Sequence, residues 1–125
     1  MQPFKTALYA QCLWLVAATV FNLLSLRDIK QGLPGWAGDQ ALGAQMVVIV
    51  MGAVIGLGLF GWLRTYRVLV IPVLVLLLAG GVLRHAFADP ASYASATTWA
   101  VAIAINLFGS AAFAFGLIAV IRSRE

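Results

Sequence analysis

The chain is short of charge, of cysteine and of histidine, and each shortage closes off a class of function. Charged side chains make up 10% of its 125 residues, against roughly a quarter in ordinary soluble domains. Too few polar groups remain to cover a soluble fold of this size. A single cysteine, Cys12, leaves no partner for an intramolecular disulfide and no metal cluster to assemble. Set inside an apolar run, it reads as a small buried hydrophobe. A single histidine, His85, does not supply the pair of axial ligands that haem in a four-helix bundle generally needs. Cys12, His85 and a few Ser and Thr do not make a nucleophile with its base or metal. The expectation is therefore no catalytic residue, no cofactor, no metal and no enzyme.

Charge is also missing from the middle of the apolar runs. An ionised group there costs about 2.5–3.5 kcal/mol on insertion scales, and so marks ion and proton pathways. Here every Asp, Glu, Lys and Arg falls at or near the end of a run. Small four-helix proton-coupled exporters, which the chain resembles in length, depend on a glutamate within the first helix; the nearest polar equivalent here is Gln11.

What the sequence does contain is hydrophobic length: 63% of its residues are apolar. A hydrocarbon core about 30 Å thick takes around 20 helical residues per crossing, so four crossings consume about 80 and leave only short connections. The expected fold is all-α: one domain, residues 1–125, forming a compact bundle of four antiparallel transmembrane helices. The spans fall at about 7–26, 46–63, 68–85 and 98–121. No small-x-small cleavage site closely follows the N-terminal run, so the first helix is read as retained.

The connections carry turn and interface signals. Arg27-Asp28-Ile29-Lys30 closes the first span, and Leu33-Pro34-Gly35-Trp36 opens the longest connection with a Pro-Gly turn and a tryptophan suited to the headgroup region. Arg64-Thr65-Tyr66-Arg67 separates the second and third spans, and Pro72 is expected in the first turn or so of the third, where its missing amide costs little. Asp89-Pro90, Tyr93 and Trp99 lead into the fourth.

The net charge of +4 does not point to nucleic acid, because the basic residues stand singly or in pairs at the ends of apolar runs. Lys5, Arg64, Arg67, Arg122 and Arg124 fall on one side and Arg27, Lys30 and Arg84 on the other. Five against three places both termini in the cytoplasm of a bacterial inner membrane or its equivalent.

Helices in lipid associate through small residues and occasional hydrogen bonds, so such residues mark inner faces. Gly52 and Gly56 form a Gly-x-x-x-Gly pair on the second span, with Gly58 and Gly61 roughly opposite, which predicts a central helix approached from two sides. Gln11, Ala18, Asn22 and Ser25 share one face of the first span. On the fourth, Trp99, Ala102, Asn106, Gly109, Ser110 and Phe113 share another, with Gly109 a packing position. Asn22 and Asn106 are candidates for interhelical hydrogen bonds.

Three functions follow as expectations. The first is an accessory, assembly or regulatory component that packs with itself or with a larger membrane partner. The second is a homo-oligomeric, uncoupled path for a small ion or neutral solute past Asn22, Asn106 and Ser110, which requires these residues to face a hydrated cavity. The third is contact with a lipid headgroup or other anion through Arg84 and His85, which follow Gly80-Gly81. The expected partners are membrane lipids and another copy or a larger membrane protein. The stretch Asn106-Leu107-Phe108-Gly109-Ser110 is similar to the Asn-x-x-Gly-Ser run of small dimeric four-helix fluoride channels. In that family the run sits on an earlier helix, preceded by a Gly-rich segment with a buried Arg; the first helix here has neither, so membership is not inferred.

Overall fold

A computed structural model describes residues 2–123. The chain is all-helical, with four helices long and apolar enough to cross a membrane. They are α1 (Gln2–Lys30), α2 (Ala41–Leu59), a third span running from Leu63 to Phe87, and α5 (Ala96–Arg122). The third span is composite: α3 (Leu63–Leu76), a π-helical segment (Leu77–Leu83) and the short α4 (Arg84–Phe87). Arg124, counted above among the topology signals, lies outside the described residues.

Backbone chemistry explains why these helices stop and start where they do. Glycine in the left-handed region ends two of them. Gly32 (φ +77°) follows α1, where the Leu33 amide donates back to the Asp28 carbonyl at 2.9 Å. Gly61 (φ +80°) follows α2, where the Trp62 amide donates to the Leu57 carbonyl at 2.9 Å. Both satisfy carbonyls that a helix end otherwise leaves bare. Gly61 is thus a helix stop with open space around its α-carbon, not the packing position expected of it. Its tight turn ends α2 at Leu59 rather than near 63 and starts α3 five residues before the expected Val68. Pro72 consequently lies inside α3 rather than in its first turn. At the other terminus, the Ser95 hydroxyl accepts from the Thr98 amide at 3.0 Å and the Thr98 hydroxyl accepts from the Ser95 amide at 2.9 Å. This capping box starts α5 at Ala96.

The helices close a ring in which α1 packs against α2 and α5, and α3 packs against α2 and α5. α5 packs against both α1 and the whole third span more extensively than α2 packs against either neighbour, so the second span is not the central helix its glycines predicted. α2 touches α1 along one face: Gly52 lies against Leu15, and Gly58 fits between Leu8 and Tyr66. Gly56 faces open space. The core runs through Trp14, Ile55, Tyr66, Val70 and Phe113, each no more than 1% exposed. Trp14 stands edge-on to Phe113, and Phe4 edge-on to Tyr66.

A candidate amphipathic cavity between four helices

The ring is uneven along its length. α2 packs against α3, yet among the described residues it makes no close backbone contact with the π segment that continues the same span. The two elements part beyond α3, and a cavity of about 290 Å³ fills the divergence. Its walls come from α1 (Trp14, Ala18, Asn22), α2 (Val47, Met51), the third span (Leu77, Gly80, Arg84) and α5 (Ala102, Asn106).

The wall is graded. By their positions along the helices, Trp14, Met51 and Leu77 lie toward one end of the lining and Asn22, Gln40, Arg84 and His85 toward the other, with Asn106 beside Gly81. The exposed Gly43 and Val47 on one side, and the exposed Leu76 and Gly80 on the other, mark the gap between α2 and the π segment. That gap opens sideways, toward the region a bilayer would occupy.

The end of the cavity is covered by two connections tied together. The Ser25 hydroxyl accepts from the Ala37 amide at 2.9 Å, and the Ala94 amide donates to the Gly35 carbonyl at 3.2 Å. Trp36 packs edge-on against Phe21. Gly38 (φ +84°) lies under the Tyr93 ring, where a Cβ would stand 3.5 Å from it. Tyr93 also meets His85 Nδ1 through its hydroxyl, and Trp99 Nε1 donates to the His85 carbonyl at 2.7 Å. Burial pushes the Tyr93 phenol above its ordinary pKa, Arg84 pulls it partly back and Asp39 adds to the rise. The Tyr93 hydroxyl and His85 Nδ1 share this hydrogen bond, which leaves Nε2 as the ring nitrogen with no hydrogen-bond partner among the described residues.

The π segment positions this polar end. A π turn is wider than an α turn, so residues beyond it are rotated relative to a plain α-helical continuation, and Arg84 and His85 are those residues. Gly81 lets Asn106 of α5 approach the widened backbone, since a Cβ there would overlap the Asn106 amide. Gly80, with nothing within 4 Å, leaves its side of the cavity unfilled.

The candidate residues sort as follows. Asn22, Asn106, Arg84 and His85 all line the same cavity. Asn22 makes an interhelical bond, donating to Gln45 Oε1 at 3.0 Å, and Gln45 in turn donates to Thr19 Oγ1 at 3.3 Å. Asn106 does not bond across helices; its amide donates to the Ala102 carbonyl one turn back, at 2.8 Å. Ser110 is not on the cavity wall: its hydroxyl donates to the Asn106 carbonyl at 2.8 Å. Gly109 is a packing position, receiving the Trp14 indole edge. Sequence reasoning missed Gln45 as the partner of Asn22, and missed the Tyr93–His85 contact. The spacing of Gln45 and Asn22 across one connection was the available signal.

Gln11 forms a separate polar point between α1, α3 and α5. Its Nε2 donates to the Tyr66 hydroxyl at 2.6 Å and to the Ala112 carbonyl at 3.2 Å, while Oε1 is buried without a partner among the described residues. A second depression, about 460 Å³, lies between the N-terminus of α1 and the C-terminus of α5; its polar lining is limited to Arg122 and Ser123.

Fold and cavity together give an all-helical chain with four helices long and apolar enough to cross a membrane, around a cavity lined by both apolar and polar side chains. No family model, curated protein or solved structure matches the chain.

Proposed function

We propose that this chain is a non-enzymatic membrane component that holds an amphiphile in the cavity between α2 and the π segment. The observation that carries the reading is the coincidence of a lateral gap with a graded wall, apolar at Trp14, Met51 and Leu77 and polar at Arg84, His85 and Gln40. A water-soluble solute would have to pass the tied connections, whereas a lipid would enter from the side without leaving the bilayer. The volume favours partial occupancy: about 290 Å³ is at the small end of ligand sites. It suits a headgroup and the upper part of one chain, with the rest remaining in the membrane. The expected lipid contact at Arg84 and His85 thus gains Asn22 and Asn106 as neighbours. The solute-path expectation loses Ser110 from its lining.

The test is amphiphile retention by delipidated, reconstituted protein, measured by native mass spectrometry. Wild type should hold one lipid through gentle detergent removal. Gly80→Leu, which adds a side chain where nothing stands within 4 Å, should lose that lipid while keeping its helicity and monodispersity. Equal retention by both proteins would contradict the proposal.

A further inference from the structure

We infer that the cavity selects an anionic headgroup, a phosphate or a carboxylate, carried on a membrane lipid; this rests on the lateral-cavity reading above. The argument is from charge and from which polar atoms are already engaged. Arg84 is on the cavity wall, and among the described residues no carboxylate lies within ion-pair distance of it. The ion pair that is present joins Arg27 to Asp28 at 3.0 Å, away from the cavity lining. Asp39 is close enough to act on Tyr93, but neither it nor any other described acidic residue lines the cavity. Arg84 is exposed, so the end of the wall carries one positive charge that no described carboxylate pairs and that a ligand can reach from outside the bundle.

The chemistry of the donors fits an oxyanion. A guanidinium offers a planar fork of N–H groups that matches two oxygens of a phosphate or carboxylate. His85 is held by Tyr93 at Nδ1 and by Trp99 at its carbonyl, which fixes the ring and leaves Nε2 for the same ligand. The amide nitrogens of Asn22 and Asn106 each have one N–H engaged, by Gln45 and by the Ala102 carbonyl, and a second N–H to offer. Arg84 is the charged donor without an assigned acceptor at this end. Placed beside an apolar slot, it reads the head while the slot takes the chain.

The experiment compares lipids with the same chains in nanodiscs of wild type, Arg84→Gln, Arg84→Lys and Arg67→Gln, with retained lipid counted by native mass spectrometry. The probes are dioleoyl phosphatidylglycerol, oleate, uncharged dioleoylglycerol and inorganic phosphate. The expected result is about tenfold preference by wild type for the anionic lipids over dioleoylglycerol, as one charge-assisted contact allows. Arg84→Gln should abolish it, Arg84→Lys should keep part of it, and Arg67→Gln, outside the cavity, should leave it intact. Phosphatidylglycerol and oleate, competed against each other, separate the two anion chemistries. Equal retention of charged and uncharged lipids would overturn anion selection while leaving lateral binding in place. Retention of no lipid above the Gly80→Leu level would overturn both. Displacement of the bound lipid by millimolar phosphate would overturn the lipid as occupant.

Discussion

The two ends of this bundle use glycine in opposite ways. At the end that gathers Phe4, Tyr66 and Val120, each inward glycine is filled by a neighbour. Gly58 receives Leu8 and Tyr66, and Gly116 sits directly against the Tyr66 hydroxyl and Gln11. At the other end, Gly43 and Gly80 have nothing within 4 Å and border a cavity. The first arrangement lets helices approach until side chains interlock. The second keeps a space open because no side chain is there to close it. The same residue type therefore signals close packing at Gly58, Gly116 and, beside the cavity, Gly81, and vacancy at Gly43 and Gly80; only the neighbours distinguish them.

Adding a side chain should expose the difference most sharply. Gly116→Leu would drive a bulky group into Tyr66 and Gln11, and overpacking of this kind costs about 3 kcal/mol. Thermal unfolding in detergent should show a clear loss of stability or no folded protein. Gly80→Leu should shift stability by no more than about 0.5 kcal/mol, as for substitutions without a packing consequence, while eliminating retained lipid. If Gly80→Leu were as destabilising as Gly116→Leu, the contrast between the ends would fail.

Smaller effects test the polar contacts. Gln11→Leu removes the partner of the buried Tyr66 hydroxyl, and a loss of about 1 kcal/mol is expected in the same unfolding assay. Asn22→Leu removes the bond to Gln45, worth about 0.6 kcal/mol on average in membrane helices. Its stability loss should thus be smaller than that of Gln11→Leu, and a loss several times larger would mean that Asn22 supports more than this one contact. Gly56→Leu addresses a different expectation. Because Gly56 faces open space within the chain, the substitution should leave the isolated bundle stable, and any drop in assembly size on native gels would locate a self-association face there.

Much of the architecture was legible because membrane helices obey simple arithmetic. Apolar length fixed the number of spans. On the predicted α1 face Gln11, Ala18, Asn22 and Ser25 are all buried; on the α5 face Ala102, Gly109, Ser110 and Phe113 are buried and Trp99 and Asn106 half-buried. The limits of α2 and α3 were misplaced because hydrophobicity continues through the Phe60–Trp62 turn. Gly61 as a stop depends on a backbone angle, which hydropathy does not report.

The cavity was less legible. Four of its five polar residues were singled out, but as two separate candidates, Asn22 with Asn106 and Arg84 with His85; Gln40 was not. What joins them is the π segment and the divergence from α2, and neither leaves a periodic trace in so uniformly aliphatic a stretch as Val68–Leu83. Gly80-Gly81 was noted as preceding Arg84 and His85. In the structure one of the pair lets Asn106 approach and the other leaves the opening.

The central claim is that lipid enters this cavity from the side, and photo-crosslinking with a lipid carrying a diazirine midway along one chain tests it most directly. After reconstitution, irradiation and peptide mapping, the account predicts crosslinks at the deep wall residues Met51 and Leu77, only 3% and 2% exposed, with their loss in Gly80→Leu. Crosslinks confined to outward-facing residues such as Leu13, Phe60 and Val75, and unchanged by Gly80→Leu, would contradict it.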